Sequence, residues 1–161
     1  MQMSDPILLK AYRGQQVPRI PIWFMRQAGR YLPEYRALRA NHSMLDIIND
    51  PELSALITLQ PIQRFDLDAA IIFSDILPPL AGMGLNLTYG NGTSPKIHNP
   101  ISNAADVDTL RISEPHEYMK GTLQAIKLVR RELSPKVALI GFAGAPFTLA
   151  AHLVDHRLVQ Q

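Results

Sequence analysis

The sequence contains no cysteine among its 161 residues. This absence excludes disulfide bonds, thiolate metal sites and a cysteine nucleophile. It is typical of proteins from a reducing compartment, and we predict a cytoplasmic location.

A strong charge imbalance is also missing. The formal net charge is +2, too small to suggest nucleic-acid binding. Eleven of the 16 cationic residues are arginine, and four of these stand between positions 26 and 39. This local concentration indicates a small anionic ligand rather than a polyanion.

Long uninterrupted apolar runs are absent as well. The most hydrophobic stretch, 69–87, is broken by Asp75, by Pro78-Pro79 and by two glycines, which argues against a membrane span. The first residues lack the basic region and apolar run of a signal peptide. With 47% apolar and 19% charged residues, the composition predicts a soluble globular protein, with residues 1–161 forming a single domain.

The most informative segment is residues 21–39, PIWFMRQAGRYLPEYRALR. It carries Arg26 and Arg30, four positions apart around Gly29. Guanidinium groups suit carboxylates and phosphates, and glycine permits backbone conformations that are closed to other residues or lets the backbone come close to a ligand. An anion site is one interpretation. Solvated arginines, or arginines paired with nearby acids such as Glu34, are the other.

The hydrophobic pattern predicts alternating strands and helices. Short, uninterrupted apolar runs are found at 20–25, 69–73 and 137–142. Such runs are typical of strands that are buried on both faces of a parallel sheet. An irregular β excursion is predicted around 85–97. Capping residues, proline positions and helical spacing predict helices at 5–12 (capped by Asp5), from Pro33, from Pro51 to near Arg64, at 104–108, at 115–133 and from Pro146 to about Asp155. Pro61 is predicted to kink or restart the helix that begins at Pro51. This alternation predicts an α/β fold.

Asp75 directly follows the second predicted strand. A carboxylate beside an apolar strand is costly unless something pairs with it. Its partner is predicted to be Arg26 or Arg30, or a ligand with N–H donors or developing positive charge, while helix capping is the structural alternative. Functional residues just after strands are typical of a (β/α)8 barrel, although an open doubly wound sheet has the same property.

Two further patterns carry less weight. His152 and His156 have metal-ligand spacing on the last predicted helix, but two ligands do not make a site, and we predict no metal. The glycines at 141 and 144 lack the spacing of a dinucleotide-binding turn.

Three segments, in order, are similar to sequences of the uroporphyrinogen decarboxylase family: RQAGRYLPEYR, LDAAIIFSDIL and LIGFAGAPFTLA. The resemblance runs from about Leu8 to Leu153 but covers only about half of the family's usual length. It therefore implies the N-terminal part of a (β/α)8 TIM-type barrel, incomplete in this chain.

The resemblance also implies a chemistry. The family removes four acetate carboxyls from uroporphyrinogen, a cyclic tetrapyrrole with eight carboxylates, without metal or organic cofactor. Residues matching Arg26 and Arg30 hold substrate carboxylates, and the residue matching Asp75 accepts the pyrrole N–H groups and stabilises the cationic ring. The implied catalytic residues are Asp75, Arg26 and Arg30, and the implied substrate-binding residues are Arg26, Gln27, Ala28, Gly29, Arg30, Asp75 and His152.

His152 stands where the family usually has a tyrosine, so its assignment departs from the family pattern. The resemblance further implies a homodimer. Two alternatives stay open: a corrinoid- or thiol-dependent methyltransferase of related fold, and a non-catalytic tetrapyrrole- or anion-binding protein.

Overall fold

The computed structural model describes residues 5–90 and 95–154, which fall into two compact units. Unit 1 comprises the described residues up to Ser74 together with Gly121–Gly141, and unit 2 comprises Asp75–Lys120 and the residues from Phe142 onward. The described helices are α1 (Ile7–Tyr12), α2 (Pro33–Asn41), α3 (Met44–Asn49), α4 (Pro51–Arg64), α5 (Pro78–Gly82), α6 (Ala104–Val107), α7 (Pro115–Tyr118), α8 (Lys120–Glu132) and α9 (Pro146–Leu153). The described strands are β1 (Ala69–Ile71), β2 (Leu87–Thr88), β3 (Lys96–Ile97) and β4 (Ala138–Ile140).

Unit 1 is built on two parallel strands. β1 pairs with β4 in the register Ala69–Ala138 to Ile71–Ile140. Apolar residues of α4 and α8 pack on this pair and form a core with it. Two parallel strands joined through helices confirm the predicted α/β fold.

Helix α4 begins where the local sequence predicts. The Asp50 side chain accepts hydrogen bonds from the backbone N–H groups of Glu52 and Leu53, and Pro51 occupies the first turn. The helix ends at Arg64 and continues through Pro61. Its start is set by the cap and by the fixed φ of the proline.

The predicted buried strand at 20–25 is wrong. None of these residues belongs to a strand, and the side chains of Ile20 and Met25 are 83% and 80% exposed. Within this segment, only Ile22 forms hydrogen bonds with the residue that precedes β1. The Asp68 backbone N–H donates to the Ile22 carbonyl, and the Ile22 N–H donates to the Asp68 carboxylate at 2.7 Å. Because side chains rather than backbone groups take the remaining bonds along this edge, no ladder forms.

Two predicted helices also differ. Asp5 does not cap α1, since it pairs with Arg13 and the helix begins at Ile7. The helix predicted at 115–133 is two helices, α7 and α8, separated at Met119. On the α8 side of this break, Gly121 lies against the backbone carbonyls of Ile48 and Asn49 in unit 1. This close approach leaves no room for a larger side chain at position 121.

Unit 2 contains the predicted β excursion, in which β2 and β3 pair in antiparallel orientation. Its core is a cluster of leucines at 77, 80, 85 and 87, against which α9 packs through Leu149 and Leu153. No helix in the described ranges is long and apolar enough to cross a bilayer.

Candidate functional site

The basic loop, residues 26–30, lies in unit 1 between the segment 20–25 and α2. Arg26 and Arg30 are both exposed. Among the described residues of unit 1, neither guanidinium takes part in an ion pair. Glu34, the acid considered as their partner, pairs with Arg64 at 3.1 Å instead. Pairing with Glu34 is therefore wrong, and both arginines are available to a dissolved anion.

The unusual backbone conformation of the loop is at Arg26 and not at Gly29. Arg26 has φ of +60°, while Gly29 is not among the glycines with positive φ. A Cβ at Gly29 would lie 3.4 Å from the Arg26 carbonyl oxygen, an ordinary contact. A special backbone conformation is thus not the reason for Gly29, while a close approach of the backbone to a ligand stays a prediction. The left-handed conformation falls instead on Arg26, a residue type for which it is uncommon.

Gln27 and Ala28 face inward. Gln27 is only 4% exposed, and its carboxamide bonds to the backbone of Phe24 and Ala69. Ala28 packs against the cluster formed by Leu32, Tyr35, Ile47 and Ile57. The loop therefore exposes Arg26 and Arg30 to solvent, while Gln27 holds the loop to the core.

An ion pair that sequence reasoning missed fixes the chain just before the loop. Both oxygens of the buried Asp68 carboxylate accept from the Arg19 guanidinium, at 2.6 and 2.7 Å. This hydrogen-bonded pair holds the pKa of Asp68 below its usual range, and burial opposes that effect. The partners are 49 positions apart, so no local pattern could have revealed them.

Asp75 lies in unit 2, four residues after the end of β1. Its Oδ1 accepts a hydrogen bond from the Leu77 backbone N–H at 2.9 Å, which orders the turn into α5. This bond forms an Asx turn ahead of α5 and is not a helix cap, since the N-cap of α5 is Leu77 and no side chain caps this helix. Pairing with Arg26 or Arg30 stays a prediction.

The turn that carries Asp75 meets the loop that follows β4. A Cβ at Gly144 would lie 3.3 Å from the Ile76 Cβ and 2.6 Å from the Leu149 side chain. The two segments predicted to follow neighbouring strands are therefore close together in unit 2, as expected for the carboxyl ends of parallel strands.

Tyr89 is a second residue that sequence reasoning did not select. Its hydroxyl is buried and, in the described part of the chain, makes no hydrogen bond of normal geometry. Burial raises the pKa of Tyr89, and the negative charge of Asp75 raises it further. Tyr89 therefore stays protonated near neutral pH, beside a carboxylate.

His152 is exposed on α9. His156, whose spacing from His152 was considered above, lies outside the described residues. Across the ranges that the structure covers, no group of three or more His, Asp or Glu side chains is arranged to hold a metal ion.

A shallow groove elsewhere in unit 1 runs between α2 and α4. It is lined by Leu38, Leu56, Gln60 and the Glu34–Arg64 pair, and it includes neither Arg26 nor Arg30. This groove is thus separate from the basic loop.

Comparison with known proteins covers almost the whole chain. The family model described as uroporphyrinogen decarboxylase (URO-D) matches residues 3–159. A uroporphyrinogen decarboxylase of Roseiflexus sp. is 54% identical over 164 residues, which is 98% of this chain and 47% of that protein. Those of Chloroflexus aurantiacus and Carboxydothermus hydrogenoformans are 56% and 47% identical, covering 91% and 95% of this chain.

Among solved structures, a methyltransferase from Methanosarcina mazei is similar, with a TM-score of 0.73, over 93% of this chain and 44% of that one. At 21% sequence identity, this likeness concerns the fold alone. The chain spans less than half the length of the curated relatives it matches. On the family match and these identities, the chain belongs to the uroporphyrinogen decarboxylase family.

Proposed function

We propose that this chain supplies the carboxylate-binding loop and the catalytic aspartate of a uroporphyrinogen decarboxylase, which converts uroporphyrinogen III into coproporphyrinogen III in porphyrin biosynthesis. The observation that carries the proposal is the family match over residues 3–159, together with relatives of that name at 47–56% identity. The exposed, unpaired arginines of the basic loop support it.

Each residue has a distinct role in this proposal. Arg26 and Arg30 bind carboxylates of the substrate, since the guanidinium fork matches their geometry and stays charged at any ordinary pH. Asp75 accepts hydrogen bonds from the pyrrole N–H groups through the oxygen that Leu77 leaves available. When a pyrrole carbon is protonated, the ring becomes cationic and takes up the electron pair released as CO2 leaves. A fixed carboxylate stabilises that cation more than it stabilises the neutral ring.

Further elements of the proposal follow from the family. The α/β fold is part of a (β/α)8 barrel, the enzyme is a cytoplasmic homodimer, and Gln27, Ala28, Gly29 and His152 lie at or near the substrate. No metal or organic cofactor takes part.

The direct test is anaerobic incubation of the purified chain with uroporphyrinogen, with loss of carboxyl groups followed by mass spectrometry. A second test replaces the matching half of the Roseiflexus protein with this chain, so that the remaining half of a relative is present. We expect the chimera to release CO2 and Asp75→Asn to lower its rate by about 100-fold. Asp108→Asn, at an exposed position of unit 2, is the matched control.

Arginine variants separate binding from chemistry. Arg30→Ala in the chimera is expected to raise KM about tenfold, the size of one charge-assisted hydrogen bond, while the exposed Arg131→Ala leaves KM unchanged. Saturable tetrapyrrole binding that survives Asp75→Asn and never yields CO2 would instead identify a non-catalytic binding protein. An inactive chimera that is folded and binds no tetrapyrrole would overturn the proposal.

A further inference from the structure

Gln27 makes more hydrogen bonds than any other residue of the basic loop. Its side-chain Oε1 accepts from the Phe24 backbone N–H at 3.2 Å, and its Nε2 donates to the Ala69 carbonyl at 2.9 Å. Its backbone N–H donates to the Phe24 carbonyl at 3.1 Å, and its own carbonyl accepts from the Tyr31 hydroxyl. Each polar atom of Gln27 therefore has at least one hydrogen-bond partner within unit 1.

The bond to Ala69 lies at a free edge of the sheet. The Ile72 N–H donates to Ile140 of β4, and peptide groups alternate along a strand, so the Ala69 carbonyl faces the other edge. Ala69 is fully buried. The Gln27 carboxamide thus replaces the backbone donor of a neighbouring strand, and without it a buried carbonyl would lack a partner.

The bonds to Phe24 close a tight turn. With Gln27 N–H bonded to the Phe24 carbonyl, residues 24–27 form a β-turn in which Arg26 is the third residue. Its φ of +60°, where Met25 is not positive, corresponds to a type II turn, whose third position favours glycine. An arginine there holds this conformation only if its surroundings enforce it. The Oε1 bond to Phe24 spans the same turn and supplies that constraint.

We infer that Gln27 is a positioning residue: it does not contact the tetrapyrrole, but pins the strained turn to the edge of β1 and so fixes the direction in which Arg26 leaves the loop. The inference rests on the proposed function of Arg26 and Arg30 as carboxylate ligands. It differs from the role that family resemblance implies for Gln27, which is direct substrate binding.

Gln27→Met is the primary variant, because it keeps the length of the side chain and removes both bonds. Gln27→Glu is the second, since its carboxylate can accept from Phe24 but cannot donate to Ala69 until it is protonated. Gln15→Glu, exposed in the same unit, is the matched control. The probe is uroporphyrin III, the stable oxidised tetrapyrrole with eight carboxylates, titrated into the whole chain.

Two readouts are measured on each variant: uroporphyrin affinity, and amide hydrogen exchange at Phe24 and Gln27 without ligand. We expect Gln27→Met to weaken affinity and to speed exchange at both amides, each by about tenfold, the effect of losing one net hydrogen bond. Gln15→Glu should change neither. Gln27→Glu should bind weakly at pH 8 and regain affinity toward pH 6, because protonation restores a donor to the Ala69 carbonyl.

The outcomes are separable. Weaker binding with unchanged exchange would mean that Gln27 touches the ligand, and unchanged binding would mean that it positions nothing; either overturns the inference while the proposed function stands. If the unmodified chain binds no uroporphyrin, the proposed function fails first, and the inference with it. If Gln27→Met does not fold, the pH dependence of Gln27→Glu decides: a loss of affinity that is independent of pH overturns the inference.

Discussion

Replacing Asp68 with Asn removes the charge at the point where the N-terminal segment joins the sheet. The Asp68 carboxylate is buried and accepts three hydrogen bonds, two from Arg19 and one from the Ile22 backbone N–H. An asparagine of the same size offers one acceptor and places an N–H2 donor against the remaining donors. At least one of the three bonds must therefore be lost.

The expected cost follows mainly from the Ile22 bond. The asparagine oxygen can take the place of Oδ2 and keep this bond, but without the charge. A hydrogen bond to a charged group contributes about 1.5–3 kcal/mol, and a neutral one about 0.5–1.5 kcal/mol. The bond lost outright is one of those from Arg19, which adds little because that side chain is half exposed and water screens the pair. We expect Asp68→Asn to lower the free energy of unfolding of unit 1 by about 1 kcal/mol.

Urea unfolding followed by tryptophan fluorescence measures this loss. Trp23, the single tryptophan, packs against Leu8, Ala69 and Ala138 and so reports on the segment that Asp68 holds. Asp66→Asn, at an exposed position two residues away, is the matched control and should stay within about 0.5 kcal/mol. Equal midpoints for the two variants would refute the reasoning.

The same variant predicts a change in acid stability. Because the pKa of Asp68 is lowered in the folded protein, the carboxylate stabilises the fold at pH above about 4, the unfolded value. That contribution is lost as the pH falls through the lowered pKa. The difference in stability between the unmodified chain and Asp68→Asn should therefore be constant near neutral pH and shrink below pH of about 4. A difference that persists undiminished at low pH would show that the charge is not its source.

Two further predictions concern the helices of unit 1. Gly121→Ala would place a Cβ 2.5 Å from the Asn49 carbonyl oxygen, and we expect a net loss of about 2 kcal/mol by urea unfolding, since overpacking outweighs the gain in helix propensity. Gly141→Ala, with open space around it, should be nearly neutral, and equal effects of the two would contradict the packing argument. Asp50→Ala should cost about 1 kcal/mol through loss of the α4 cap. Asp50→Ser should restore most of that stability, and failure to do so would mean that the cap is not responsible.

Local patterns predicted the parts of the fold that local physics controls. The Asp50-Pro51 start of α4 and the apolar runs of β1 and β4 lie where the sequence indicates, because capping and strand burial depend on neighbouring residues. The strand predicted at 20–25 is wrong because a local pattern does not record which distant groups occupy the edge of the sheet. The composition of this segment is that of a strand, but the edge of β1 is occupied by the Asp68 and Gln27 side chains.

The candidate site divides in the same way. Family resemblance selected the basic loop and Asp75 from short motifs, and the structure shows that both arginines are exposed and that the turn of Asp75 meets the loop after β4. The resemblance did not indicate that the strained residue is Arg26, that Glu34 forms an ion pair with Arg64, or that Tyr89 adjoins Asp75. Each of these depends on where a second side chain lies.

The sequence by itself determined the α/β class, the boundaries of α4 and the family, because these follow from periodicity, capping and motifs within short stretches of chain. The tertiary structure alone decided how the basic loop is held. Its anchoring bonds join Gln27 to Ala69 and Arg19 to Asp68, across 42 and 49 positions. Contacts of that separation exist only once the sheet has formed, since folding brings together groups whose proximity no local pattern records.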